Sequence, residues 1–380
     1  MELLILHNIA TSYYKNIVFN ALENRYKEFK VIHLAETQSD RKWEIDLSYL
    51  NYPYKILFKG NLDKVPKIKL IFKLLKTLGK EDFKMIYLGG YTEIAYWVAL
   101  IYSKVKKKKI ILEMDSNRYN IGKRRFYKEF LKKIFVKMCD YGITYGKLSK
   151  EYFVSLGMPE EKIVIKPNVT DNEYWKNEAA KYKAKREEII KTEGFKKHNF
   201  IYVGRFSEEK NLFFLLKAFK EAKNQTKDKN WGLILVGGGP LLGDLKDFVE
   251  NEDIKDVFFL PFKQRNELPK YYAVSDILIL PSLREPWGIV VNEAMASGLV
   301  PLISRRCGSK DLIKENQNGF LFDPLDKNNL VSKIKKIINA ELDIKKVKNS
   351  ALISALKYTP EYASEKVLKL LKEVNDESKK

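Results

Sequence analysis

Two glutamates, Glu285 and Glu293, stand eight positions apart in the stretch Pro281-Ser-Leu-Arg-Glu-Pro-Trp-Gly-Ile-Val-Val-Asn-Glu-Ala-Met-Ala-Ser-Gly298. On a continuous helix that spacing would separate them by about 12 Å, too far to share one proton. It suits two carboxylates holding different parts of one extended ligand, such as a sugar and a ribose. Gly288 and the amides of Ile289 and Val290 would lie near a helix N-terminus, available to phosphate or sugar hydroxyls. The matching cations sit upstream, in Tyr202-Val-Gly-Arg-Phe-Ser-Glu-Glu-Lys-Asn211. Gly204 permits a sharp turn, and Arg205 and Lys210 follow where a loop opens onto a helix, a place that favours anions. An Arg forks two oxygens and a Lys adds a point charge, so the pair suits a diphosphate. A third segment, Leu235-Val-Gly-Gly-Gly-Pro240, sets Gly238 among three glycines that let a ligand come close to the backbone. It is not G-x-G-x-x-G with a spaced acidic residue, so it makes no dinucleotide fingerprint. Each segment has a plain reading too: a charged surface turn, a tight turn, and a helix whose first-turn carboxylate favours the dipole. The last does not require the loop from Glu285 to Gly288.

Something must position these loops. In residues 1–170, short Ile-, Leu- and Val-rich runs (2–6, 29–34, 56–58, 85–88, 109–113, 141–144, 162–166) alternate with helical patterns (14–23, 67–78, 93–103, 124–138, 148–156). Residues 196–358 repeat the alternation. Strand, helix, strand in repetition means a parallel sheet with helices on both faces. The polar segment 171–195 is expected to connect the two series, partly as helix, and the apolar periodicity of 361–380, after Pro360, predicts a terminal helix that packs back on the first domain. In sheets of this kind ligands bind beyond the carboxyl ends of the strands.

Bulk properties limit the alternatives. A chain of 380 residues exceeds one ordinary core, so two domains are expected. No run of 18 or more apolar residues exists, and the short apolar start MELLILHNIA reads as a strand and not a leader. Two cysteines and three histidines without ligand spacing argue for a reducing compartment, and against disulfides and a metal site. The net charge is +21, and the first 170 residues hold 32 basic against 18 acidic side chains. Three lysine-rich clusters supply the excess: 64–80, 104–109 and 123–137, the last opening on Lys123, Arg124 and Arg125. The first and third put apolar residues at helical spacing beside lysines, a pattern that fits an anionic membrane surface, an acidic partner or a plain solvated face. No aromatic interleaving or zinc-finger pattern accompanies the charge, so no nucleic acid is expected.

Together the segments of 200–325 resemble the retaining nucleotide-sugar glycosyltransferases of the GT-B type, in particular glycosyltransferase family 4 with its Glu-x7-Glu motif. The resemblance rests on Val-Gly-Arg with Lys210-Asn211, Val-Gly-Gly-Gly-Pro, Tyr271-Tyr-Ala-Val-Ser-Asp276, Pro-Ser, Glu-Pro-Trp-Gly, Asn-Glu-Ala-Met-Ala-Ser-Gly and Asn318-Gly-Phe-Leu. It implies an α/β fold of two Rossmann-like, doubly wound domains facing a cleft. The donor would be a nucleotide-diphosphate sugar, UDP favoured over GDP. The acceptor would be a saccharide or lipid-linked saccharide of the cell envelope. No cofactor beyond the donor is implied, and without an Asp-x-Asp no metal is expected. The enzyme would be cytoplasmic, at the inner face of the membrane if the basic domain contacts it. By the same resemblance Arg205 and Lys210 hold the diphosphate, Glu285 touches the donor sugar near its reacting end, Glu293 holds the ribose, and Phe262 borders the base. The family usually has Gly at the position of Phe262. The N-terminal half departs further. His7-Asn-Ile-Ala-Thr-Ser12 replaces the usual Gly-Gly loop, and Leu112-Glu-Met-Asp-Ser-Asn117 lacks the usual His, which leaves Asp115 or Ser116 to face the acceptor, with Asn8, Ser12 and Gly90 as similar candidates. Rival readings are a nucleotide-sugar epimerase of the same fold, a non-catalytic protein binding anionic lipid or nucleic acid, and a dinucleotide oxidoreductase.

Overall fold

Away from the sheet edges, the short apolar runs become strands buried on both faces, the pattern of a parallel sheet covered by helices on each side. The computed structural model describes residues 1–39, 45–119, 126–341 and 343–377. Lys123, Arg124 and Arg125 of the third basic cluster lie outside the described residues.

The N-terminal unit comprises residues 1–169 and the C-terminal helix. In chain order its elements are β1 (Leu3–Ile9), α1 (Tyr13–Glu23), β2 (Phe29–Thr37), β3 (Tyr54–Asn61), α2 (Lys67–Leu78), β4 (Met85–Leu88), α3 (Ile94–Val105), β5 (Lys109–Glu113), α4 (Phe126–Lys137), β6 (Tyr141–Thr144), α5 (Lys147–Ser155) and β7 (Ile163–Ile165). The strands form one parallel sheet in the order β3-β2-β1-β4-β5-β6-β7. Alternation along the strands divides the core. Leu4, Leu6, Ile86, Leu88, Ile110 and Leu112 face the layer of α2, α3, α4 and α5. Leu3, Ile5, Met85, Tyr87, Ile111 and Ile143 face α1 and the C-terminal helix.

The C-terminal unit runs from Thr170 to Thr359. It contains α6 (Asn172–Lys183), α7 (Arg186–Glu193), β8 (His198–Arg205), α8 (Leu212–Asn224), β9 (Trp231–Gly238), α9 (Leu242–Asn251), β10 (Val257–Leu260), α10 (Leu268–Ala273), β11 (Ile277–Leu280), α11 (Val290–Ala296), β12 (Val300–Ser304), β13 (Phe320–Phe322), α12 (Lys327–Ile338) and α13 (Ile344–Ala355). Its six strands are also parallel, in the order β10-β9-β8-β11-β12-β13. The last helix, α14 (Pro360–Glu377), buries Val367, Leu370, Leu371 and Val374 against α1 and the sheet of the N-terminal unit.

Residues 171–195, expected as a connection, are α6 and α7 of the C-terminal unit. A polar composition hid the few positions that anchor them. Trp175 is fully buried, with its ring edge-on to Tyr272 at 5.6 Å. Asn172 Nδ2 donates to the carbonyls of Ala355 and Tyr358 at 2.8 and 3.0 Å, and Arg186 donates to the Ala273 carbonyl at 2.7 Å. Residues Gly308–Leu312 form a 3-10 turn. Helix α13 rests on Val347, Ala351 and Ala355 at four-residue spacing.

Candidate functional site

The chemistry-bearing segments of the C-terminal unit lie at the carboxyl ends of β8, β9 and β11. Strand β8 ends at Arg205, paired in register with Gly238 at the end of β9. Arg205 is exposed, and its own carbonyl accepts a 2.9 Å bond from the Tyr202 hydroxyl. The neighbouring glycines have different reasons to be there. A Cβ on Gly237, whose φ is +144°, would lie 2.0 Å from the Gly204 carbonyl oxygen; one on Gly238 would meet nothing within 4 Å. Gly237 therefore lets two backbones touch, while Gly238 leaves open space beside Arg205.

The loop after β8 is held to the loop after β11. Leu283 N donates to the Glu209 carbonyl at 2.8 Å. Asn211, in a left-handed conformation, donates from its side chain to the Pro324 carbonyl at 3.0 Å. These bonds bring Lys210 and Glu285 together: Nζ lies 2.5 Å from Oε2. The Glu285 backbone is fixed in turn, because its carbonyl accepts from Gly308 N at 3.1 Å.

The Glu285-to-Gly288 loop is buried at its centre. Trp287 is 3% exposed and its indole donates to Asn292 Oδ1 at 2.9 Å, so the loop is clipped to the first turn of α11. Gly288 has φ +88°, and a Cβ there would come within 3.0 Å of the Leu280 side chain and 3.2 Å of Glu285 Cγ. Ile289 and Val290 start α11 directly after it. Glu293 follows in the first turn. It is 1% exposed and accepts a 2.9 Å bond from the hydroxyl of Tyr272, itself fully buried. Phe262 lies in the loop after β10, 42% exposed.

The N-terminal unit presents its polar groups at the same edge of its own sheet. Asn8 is near the end of β1, with its side-chain oxygen buried. Ser12 immediately precedes α1 and makes no side-chain cap bond. Asp115 is exposed just past β5, and its carbonyl accepts from Ser149 Oγ at 3.0 Å. Gly90 lies beyond β4 against the Tyr96 ring.

Sequence reasoning missed the main feature of this edge. Glu113, at the end of β5 and 2% exposed, sits between Lys15 of α1 and Lys166 after β7. Lys166 Nζ is 2.7 Å from Glu113 Oε1 and its side chain is 3% exposed. Lys15 binds both Glu113 and the Tyr145 hydroxyl. Burial raises the Glu113 pKa, but the two ammonium groups outweigh it and hold the carboxyl well below its usual range. Burial pulls Lys15 down to about 8, against the opposing pull of Glu113. Three charges from positions 15, 113 and 166 have no spacing signal. Among the described residues no cluster of His, Cys, Asp and Glu is arranged to hold a metal ion.

Residues 185–352, most of the C-terminal unit, match the family described as "Glycosyl transferases group 1". An uncharacterized glycosyltransferase of Methanocaldococcus jannaschii, MJ1607, is 28% identical over 200 residues, which span 52% of this chain and 50% of that protein. The UDP-Gal:alpha-D-GlcNAc-diphosphoundecaprenol alpha-1,3-galactosyltransferase of Escherichia coli is 26% identical over 285 residues, 73% of this chain and 72% of that one. The crystal structure of Anabaena Alr3699/HepE in complex with UDP superposes with a TM-score of 0.76 at 18% identity, over 98% of this chain and all of that one. That likeness shows the fold: two parallel-sheet α/β units, as in the GT-B glycosyltransferases.

Proposed function

We propose that this chain, whose C-terminal unit matches the glycosyl transferases group 1, is a retaining glycosyltransferase. It moves a sugar from a nucleotide-diphosphate donor, UDP-linked in preference to GDP-linked, to a saccharide or lipid-linked saccharide of the cell envelope. The observation that carries the reading is the Lys210–Glu285 contact at 2.5 Å, beside the Arg205 and Gly238 strand ends. A fixed cation, a fixed carboxylate and an exposed guanidinium next to open backbone are what a sugar diphosphate needs for recognition. The E. coli relative, a transferase that uses UDP-Gal, and the Anabaena structures, in complex with UDP and with UDP-glucose, support the choice of donor.

In this reading the diphosphate lies against Arg205, Lys210 and the amides of Gly288, Ile289 and Val290. Negative charge grows on the departing phosphate, and these preorganised groups stabilise it without having to reorganise. Glu285 receives the donor sugar, Glu293 the ribose, and Phe262 borders the base. The acceptor hydroxyl attacks from the face that the diphosphate leaves, and a phosphate oxygen takes its proton. Asp115, Asn8 and Ser12 serve the acceptor.

The test is a thermal-shift panel with UDP, GDP, ADP, CMP and NAD at equal concentration. A ligand at about 100 times its dissociation constant adds about 2.7 kcal/mol of stability. Stabilisation by UDP is expected. Silence toward every diphosphate, or a response to NAD alone, overturns the reading.

A further inference from the structure

We propose that the outer face of α2, α3 and α4 docks the N-terminal unit onto an anionic lipid bilayer. These helices cover one side of the N-terminal sheet, and their inner sides share one core through Leu70, Leu74, Ala99, Leu100, Phe135 and Val136. Their outer sides are unusually apolar. On α2, Ile68 and Phe72 are each 70% exposed and Leu75 follows one turn on. On α3, Ile101 and Val105 are 54% and 74% exposed, and on α4 Phe130 and Leu131 stand out in the same way. Among the described residues of the C-terminal unit, only Phe262, Leu325 and Ile353 are exposed large apolar side chains, one to a loop or helix. An apolar surface concentrated on one helical layer marks an interaction face.

Charge identifies the occupant. Helix α2 carries Lys67, Lys69, Lys73 and Lys76 and no acidic residue. Lys69, Lys73 and Lys76 run beside Ile68, Phe72 and Leu75 at the same helical spacing, and all three lysines are exposed. On α4, Lys128, Lys133 and Lys137 are exposed beside Phe130 and Leu131. Apolar rows flanked by lysine rows fit a surface whose headgroups are negative and whose interior is apolar. A second copy of the same face would set lysine row against lysine row, which Coulomb repulsion opposes. The inference stands apart from the donor site, which lies in the other unit.

The experiment is co-sedimentation of the whole chain with phosphatidylcholine vesicles, with and without about three parts in ten phosphatidylglycerol, at low salt. Three variants accompany it: Ile68→Ser with Phe72→Ser, Ile101→Ser with Val105→Ser, and Lys69→Gln with Lys76→Gln. All these side chains are exposed, and melting curves with and without UDP show which variants remain folded. The wild-type chain is expected to pellet with the anionic vesicles, to stay behind with phosphatidylcholine alone, and to be released by salt. Each folded variant should partition roughly tenfold more weakly or less tightly still. A wild-type chain that stays in the supernatant overturns the proposal. So do folded variants that pellet like the wild type, or a dimer that the serine variants convert to monomer. A normal UDP response without vesicle binding counts against this face alone, and vesicle binding without a UDP response counts against the donor reading alone.

Discussion

The Lys210 ammonium and the Glu285 carboxylate lie 2.5 Å apart although 75 residues separate them in the chain. The contact depends on two loops tied by the Leu283-to-Glu209 backbone bond. In the proposed reaction both groups serve one ligand, so they act as a unit and their losses should not add. Lys210→Ala and Glu285→Ala are each expected to lower turnover by roughly 100-fold. The double variant should lose far less than the product of the two. UDP release from a UDP-sugar measures all three, and near wild-type rates for the single variants would sink the assignment.

Arg205 and Gly238, neighbours across β8 and β9, separate stability from binding. Gly237→Ala drives a Cβ to within 2.0 Å of the Gly204 carbonyl oxygen, so it should lower stability by about 1–3 kcal/mol or more. Gly238→Ala points a methyl into open space and should leave the melting temperature nearly unchanged. If a diphosphate passes there, the same methyl weakens UDP binding, as does Arg205→Ala at an exposed position. Calorimetric titration of UDP checks this, and unaltered affinity in both variants would remove the diphosphate from this edge.

Where the sequence was legible, one element spoke for itself. Strand β11 (Ile277–Leu280) is four consecutive buried aliphatic residues, and helix α2 repeats leucine at four-residue intervals. The glycines and charged residues after β8, β9 and β11 were likewise local signals, each following its own strand. Helix α6 was harder, because its polar stretch buries only Asn172, Trp175 and Ala179. The polar contacts within each unit were out of reach. Lys210 with Glu285, Glu293 with Tyr272, and Glu113 between Lys15 and Lys166 each join residues brought together only by the sheet order.

Buried histidines make the N-terminal unit sensitive to mild acid. Burial, and then the nearby Lys15 charge, hold His7 down at about 4. Burial and the facing His7 lower His33 as well. The unfolded chain binds protons near pH 6.5 that the folded chain refuses, so stability falls as pH drops from about 6.5 toward 4. Buried carboxylates such as Glu113 lose their contribution only at lower pH, because their folded values are depressed. Urea midpoints are therefore expected to fall between pH 7 and pH 5. The fall should be smaller for His7→Asn, whatever that change costs at pH 7. Equal pH dependence in the two proteins would show that His7 is not the responsible group.

The Lys15–Glu113–Lys166 arrangement predicts an order of damage. Glu113→Gln leaves two buried ammonium groups facing each other across a neutral amide. Uncompensated buried charge of this kind costs about 3–5 kcal/mol. Lys15→Met or Lys166→Met leaves Glu113 still paired with the remaining lysine, so each should cost less. Of the two, Lys166→Met should be the costlier, since the Lys166 side chain is 3% exposed against 13% for Lys15. The three variants lie in the N-terminal unit and the residues proposed to hold the diphosphate belong to the C-terminal unit, so UDP should stabilise all of them as it should the wild type. Urea denaturation with and without UDP tests both statements. If Glu113→Gln proves no more harmful than Lys15→Met, the carboxylate is not what holds the two lysines in place, and the excess positive charge at this edge must be solvated some other way.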